Sequence, residues 1–181
     1  MEMQPPCQRI SLVSIPVCPG FLGQHKMFGE RPVCHASFCH ASFSIAIKWV
    51  VEEDGTDLTL ALRQKARLLA PDLIVAECAN ILWKKVQRKE LSKDEALIAA
   101  RLLQSAEIEL VPARALMESA TRLAIELDHP AYDCLYLALA VENGCRFVTA
   151  DERLVKKIRR DKKSLFHDRI VGLAESLTRK P

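Results

Sequence analysis

The sequence predicts an α/β fold of three layers, in which a central, mostly parallel sheet is flanked by helices. Short apolar segments such as 108–111 and 147–148 alternate with longer segments of helical periodicity, as in a parallel sheet with crossover helices. The 181 residues, 49% hydrophobic and 27% charged, are enough for one globular domain with its own core. No apolar run approaches the ~18 residues that a membrane-spanning helix needs. We therefore expect no membrane association.

Residues 1–41 differ from the rest of the chain and are expected to form a poorly ordered extension, whereas residues 42–181 are expected to form the folded domain. The extension holds five of the nine prolines and four of the seven cysteines, and no periodicity persists in it. Its apolar segment 10–18 is short and broken by Pro16, which makes it a poor secretory signal. The odd number of cysteines, and the core positions expected for Cys78, Cys134 and Cys145, favour reduced thiols and the cytoplasm.

A tandem duplication ends this extension, because Cys34–Phe38 is repeated at once as Cys39–Phe43. Such a repeat is unusual in a folded core, so it supports the interpretation of residues 1–41 as a poorly ordered extension. The alternative is a zinc site, whose ligands would be Cys34, His35, Cys39 and His40. Structural zinc ligands usually form two separated pairs with a different spacing, so the extension is the favoured interpretation.

Regular structure is expected from Ser44, where an apolar segment begins that runs to Val51. A helix capped by Thr56 or Asp57 is then expected to continue to about Leu69. The residues expected on its buried face are Leu58, Leu62, Ala66 and Leu69.

The second half of the chain alternates helices and strands. The helix after Pro71 is expected to carry Glu77 and to end near Lys89. Ser92–Glu95 resembles a capping box, which predicts a helix to about Ser105. The remaining expected elements are a strand at 108–111, a helix at 115–127, a helix around Asp133, a strand ending near Thr149, a helix after Asp151 and a short strand at 169–172.

Three acids lie within or next to apolar segments, namely Glu77, Asp133 and Asp151. Asp151 follows a predicted strand, and parallel sheets bind ligands at the carboxyl ends of their strands. Buried carboxylates are costly unless they are paired or bind a metal, and carboxylate oxygens suit Mg²⁺ or Mn²⁺. Taken singly, Glu77 is also explained as a solvated helix residue, Asp133 as a helix N-terminal charge and Asp151 as an N-cap. Three acids in such contexts favour one shared metal site.

Three motifs, in this order, resemble a PIN domain of the VapC toxin type. They are Pro71-x-Leu73-x-x-x-Glu77-x-x-Asn80-x-Leu82, Tyr132-Asp133-x-x-Tyr136-Leu137-Ala138-Leu139-Ala140 and Val148-Thr149-Ala150-Asp151-x-x-Leu154. Together with Ser44–Trp49, the resemblance covers roughly residues 42–175. It implies a PIN-like fold and a Mg²⁺- or Mn²⁺-dependent endoribonuclease that leaves 5′-phosphate and 3′-hydroxyl ends.

The resemblance also implies an RNA substrate, a small antitoxin as partner and a homodimer. Matched by motif, Glu77, Asp133 and Asp151 would be the catalytic metal-site acids, with Asn80 and Thr149 as supporting polar residues.

The sequence departs from the family pattern at the first acid, which precedes the Ser-x-Ala-x-Lys-Trp motif by two residues. Ser42 occupies this position, where it would offer a neutral oxygen as a supporting residue. An alternative register with a two-residue insertion places His40 there instead, and a misplaced first strand would leave the role to another acid such as Asp54. The loss of a carboxylate raises a second hypothesis, a catalytically impaired PIN-fold module that binds antitoxin or RNA.

Basic residues follow two of the acids along the chain. The lysines expected to contact the RNA backbone are Lys84, Lys85, Lys156 and Lys157. A solvated helix face explains each cluster equally well when it is taken alone. The formal charge of +3 is too small to imply nucleic-acid binding by itself.

Overall fold

The computed structural model describes residues 38–65, 67–160 and 166–176. Five parallel strands form one sheet in the order β3-β2-β1-β4-β5. The strands are β1 Phe38–Ala41, β2 Arg67–Pro71, β3 Ile108–Val111, β4 Arg146–Thr149 and β5 Ile170–Gly172. This architecture confirms the predicted α/β class with a parallel sheet.

The helices follow the predicted alternation with the strands. They are α1 Phe43–Ile47, α2 Thr56–Lys65, α3 Leu73–Gln87, α4 Lys93–Gln104, α5 Ala113–Leu127, α6 Ala131–Glu142, α7 Glu152–Arg159 and α8 Leu173–Ser176. The capping box of α4 is confirmed, because Ser92 Oγ accepts the Glu95 N–H while the Glu95 carboxylate accepts the Ser92 N–H. In the described part of the chain, no helix is both long and apolar enough to cross a membrane.

The central strand β1 begins earlier than the sequence indicates. Regular structure was expected from Ser44 and the domain from Ser42, but residues 38–41 form β1 and pair with both β2 and β4. The start at Ser44 is therefore wrong. A four-residue strand paired on both sides is held by its backbone ladder, and the duplicated segment lacks the apolar run typical of a buried strand. Residues 1–37, which include Cys34 and His35 of the zinc alternative, lie outside the described residues.

Strand β2 occupies the end of the segment that was expected to be helical. The helix was predicted to reach Leu69, but α2 ends at Lys65 and β2 begins at Arg67. Leu68, Leu69 and Ala70 are three consecutive buried residues. A strand exposed on one face would alternate apolar and polar residues, whereas an uninterrupted apolar run is typical of a strand covered on both faces. An apolar run of this length does not distinguish a strand from a helix by periodicity, so this prediction was wrong.

The core lies between the sheet and the helices packed on it. Helix α6 contacts β1, β2 and β4, and α5 packs against α6. Helix α3 buries Ile74, Cys78 and Leu82, and the thiols of Cys78, Cys134 and Cys145 are buried. Because all strands are parallel, the segments that follow β1 and β4 leave the sheet at the same edge.

Candidate active site

Glu77 and Asp133 belong to different helices and share one electrostatic environment. The hydroxyl of Tyr136, on α6, donates to Oε2 of Glu77, on α3, over 2.5 Å. Burial raises the pKa of Glu77, the Tyr136 hydrogen bond opposes this rise, and the negative charge of Asp133 adds to it. The fold therefore places two of the three predicted acids, Glu77 and Asp133, close enough for their charges to interact.

Asp133 lies in the first turn of α6 and contacts His129. Its Oδ2 lies 2.9 Å from His129 Nε2, and the His129 side chain is 17% exposed. The preceding Asp128 adopts a left-handed conformation with φ of 47°, and the Lys157 ammonium donates to its carbonyl oxygen. Sequence reasoning assigned His129 no role, although its position four residues before Asp133 is the spacing at which helical neighbours meet.

Asp151 caps helix α7. Its Oδ1 accepts the N–H groups of Arg153 at 2.9 Å and Leu154 at 3.1 Å. The capping interpretation is therefore correct for one carboxylate oxygen, and Oδ2 accepts no hydrogen bond from the described residues. Thr149 is 2% exposed, and its hydroxyl accepts the Asp151 N–H over 3.1 Å, so it shapes the turn between β4 and α7.

Ser42 lies at the carboxyl end of β1, at the position where the resemblance predicted the first acid. Its N–H donates to the carbonyl oxygen of Val148, and its hydroxyl is 2.5 Å from that of Ser44. The Ser44 hydroxyl in turn accepts the Ala150 N–H over 3.4 Å. Ser42 is 4% exposed and is thus a buried neutral oxygen near the segment that leads to Asp151. His40 is two residues earlier, inside the strand.

The residues present fit a divalent cation as a two-carboxylate site. No group of three His, Cys, Asp or Glu side chains among the described residues lies close enough to hold a metal ion. Mg²⁺ in proteins commonly takes one or two carboxylates and completes its shell with water and substrate phosphate. Glu77 and Asp133 would supply such a pair of hard oxygen ligands. Asn80 is exposed one helical turn beyond Glu77.

The structure contradicts the prediction that Lys85 contacts RNA. Lys85 is 7% exposed and forms ion pairs with Glu53 Oε1 at 2.6 Å and Glu90 Oε2 at 2.9 Å. Burial lowers the pKa of Lys85, but the hydrogen bonds and charges of Glu53 and Glu90 outweigh it, so the pKa lies above its ordinary value. Two carboxylates therefore hold this ammonium inside the protein.

The other three lysines of the predicted RNA surface are exposed. Lys84 lies beside Lys85 on α3 but faces solvent, and Lys156 and Lys157 face solvent on α7. Lys157 also closes the turn before Asp133 through its bond to Asp128. Unlike Lys85, these three lysines could contact a polyanion such as RNA without breaking a buried ion pair.

The described residues thus form a five-stranded parallel sheet with Asp151 just after the carboxyl end of β4. The family described as the PIN domain matches residues 44–160, and the chain belongs to this family. The resemblance drawn from the three sequence motifs is therefore confirmed.

One sequence relative and two solved structures are similar to this chain. Ribonuclease VapC3 of Pyrobaculum aerophilum is 33% identical over 116 residues, which are 63% of this chain and 88% of that protein. The crystal structure of PAE2754 from Pyrobaculum aerophilum superposes with a TM-score of 0.55 at 19% identity, covering 79% of this chain and 88% of that one. The structure of VapBC2 from Rickettsia felis bound to a promoter DNA fragment gives a TM-score of 0.50 at 15% identity, covering 66% and 92%. The two structures show the fold, and the sequence relative is a VapC ribonuclease.

Proposed function

We propose that this protein is a Mg²⁺- or Mn²⁺-dependent endoribonuclease of the toxin–antitoxin type. The observation that carries the proposal is the link between Glu77 on α3 and the helix of Asp133, since the Tyr136 hydroxyl, one helical turn from Asp133, donates to Glu77 Oε2. In the described part of the chain, neither carboxylate forms an ion pair with a lysine or arginine. Apart from the contact of Asp133 with His129, the two carboxylates lack a basic partner among the described residues, and two neighbouring acids attract a cation. The relative named as a ribonuclease supports RNA as the substrate.

The residues have separate roles in the proposed reaction. Glu77 and Asp133 would hold the cation, which when bound activates water and neutralises charge on the phosphate. Asp151 keeps one oxygen on the N-terminus of α7, and its other oxygen would serve the reaction. Lys84 and Lys156 would bind the RNA backbone as point charges, because both side chains are exposed.

We extend the proposal to the partners and the location of the protein. A small antitoxin would bind and inhibit the enzyme, and the enzyme would form a homodimer in the cytoplasm. These features follow from the VapC-type resemblance, since the sequence relative is itself a VapC ribonuclease.

The proposal is tested by removing one charge at a time. We expect Asp133→Asn and Asp151→Asn each to abolish RNA cleavage, and Asp133→Asn also to weaken Mn²⁺ binding measured by calorimetry. Both variants should fold, because asparagine is as good an N-cap as aspartate and because loss of the Asp133 charge relieves repulsion with Glu77. Asp94→Asn is the matched control, since Asp94 is an exposed first-turn aspartate of α4. Cleavage that survives in either site variant would refute the assignment.

The second candidate function is a PIN-fold binding module without catalytic activity. The buried Ser42 hydroxyl at the first acid position favours it, because one negative charge of the family pattern is missing. A parent protein that folds but neither binds Mn²⁺ nor cleaves RNA would establish this alternative.

A further inference from the structure

We propose that Tyr136 is a positioning residue that fixes the carboxylate of Glu77 relative to Asp133. This inference rests on the proposed function, in which both acids hold the cation. It concerns a residue that the family motif contains but to which sequence reasoning gave no role.

The ring of Tyr136 is held by the sheet. The side chain is 0% exposed, and its ring stacks on that of Phe147 in β4 with centroids 5.5 Å apart and an interplanar angle of 20°. A ring enclosed in a close-packed core does not reorient without displacing its neighbours. The position of the hydroxyl is therefore set by the packing of α6 on β4.

The hydroxyl has an acceptor in Glu77. The O–H donates to Oε2 over 2.5 Å, within the range of charge-assisted bonds between a hydroxyl and a carboxylate. Oε1 of Glu77 accepts no hydrogen bond from the residues that the structure describes.

Helix α6 consequently sets the geometry of both acids. Asp133 and Tyr136 are three residues apart, which places them on the same face of the helix. Asp133 is itself a residue of this face, whereas Glu77, on α3, is held to it by the hydrogen bond from the Tyr136 hydroxyl. Without that hydroxyl, the Glu77 carboxylate would be free to rotate away from the like charge of Asp133.

Tyr136→Phe tests the inference, because it removes the hydroxyl and keeps the stacked ring. In the full-length protein we expect Mn²⁺ affinity to fall about 10- to 100-fold, the usual effect of losing a group that orients a metal ligand. The kcat for RNA cleavage should fall while KM changes little. Tyr132→Phe is the matched control and should change neither quantity, because Tyr132 lies on the same helix and is 65% exposed.

A second variant tests whether stacking on Phe147 holds the Tyr136 ring in place. Phe147→Leu leaves the hydroxyl in place but removes the stacked partner, and we expect a smaller loss of Mn²⁺ affinity in the same direction. Unchanged or tighter Mn²⁺ binding in folded Tyr136→Phe would overturn the inference, since the hydroxyl would then be inert or would compete with the cation. If Tyr136→Phe does not fold, unchanged Mn²⁺ affinity in folded Phe147→Leu would overturn it.

A readout without metal separates this inference from the proposed function. The ¹³C resonance of the Glu77 carboxylate should shift in metal-free Tyr136→Phe relative to the parent and stay in place in Tyr132→Phe. If the parent binds no Mn²⁺, the proposed function fails, but a shifted resonance still supports the positioning role. An unmoved resonance overturns the positioning role whatever the parent binds.

Discussion

Lys85→Met removes the buried ammonium at the centre of an ion-pair network and should destabilise the protein. The Lys85 side chain is 9% exposed, and its partners Glu53 and Glu90 are 26% and 31% exposed. Lys48 also contacts Glu53, at 3.0 Å. Methionine keeps the volume of the lysine stem, so the variant isolates the loss of charge.

The expected loss of stability follows from these exposures. Removing one partner of a fully buried ion pair costs about 3–5 kcal/mol. Glu53 retains Lys48, and both acids reach solvent, so the cost for Lys85→Met should fall to about 2 kcal/mol. In a domain of this size, that loss lowers Tm by about 4–8 °C. Urea and thermal unfolding followed by circular dichroism would measure it.

The pH dependence of this effect has a defined sign. Burial raises the pKa of Glu53, but hydrogen bonds and charges from Lys85 and Lys48 outweigh it, so the pKa lies below its ordinary value of 4.5. This contribution is present above pH 4.5 and is lost as the pH falls through the lowered value. The raised pKa of Lys85 gives a contribution that is present below pH 10.5 and is lost as the pH rises through the raised value. The difference between parent and variant should therefore be constant between these limits and shrink outside them.

Lys84→Met is the control, because its side chain is exposed on the same helix. It should change the unfolding free energy by less than about 0.5 kcal/mol. If Lys84 binds a phosphate, the variant should also reduce the salt dependence of RNA binding by about one unit of log–log slope. Both effects are best compared in the Asp133→Asn background, where no cleavage is expected. Equal stability of the two lysine variants, or a reduced slope only in Lys85→Met, would refute the assignment of Lys85 to the interior.

Two further predictions concern the first strand. Ser42→Asp should tighten Mn²⁺ binding and raise RNA cleavage, at some cost in stability without metal, because a carboxylate attracts a cation more strongly than a hydroxyl but repels the neighbouring acids. A gain with His40→Asp instead would support the inserted register, and a fully active parent with no gain in either variant would implicate another acid such as Asp54. Deletion of residues 1–32 should preserve the folded domain, whereas deletion of residues 1–41 should unfold it, because the second deletion removes β1 from between β2 and β4. A large fall in the thermal midpoint on the shorter deletion would contradict the first part.

Local patterns in the sequence determined much of the fold and part of the site. The capping box of α4 and the strand at 108–111 were predictable, because each depends on neighbours within a turn or a few residues. The motifs around Glu77, Asp133 and Asp151 also identified the family. The capping role of Asp151 could be stated in advance for the same local reason.

Only the tertiary structure decided which side chains meet. Strand β1 lies at the centre of the sheet, where its backbone pairs with β2 and β4. Residues 38–41 have no apolar pattern from which this central position could be predicted. Lys84 and Lys85 are adjacent cations with the same local signal, yet the helix rotation of about 100° between them turns one toward solvent and the other toward Glu53. The bond between Tyr136 and Glu77 joins residues 59 positions apart. Periodicity along a chain reports which face of an element is buried, whereas the partner on that face is set by how the elements pack.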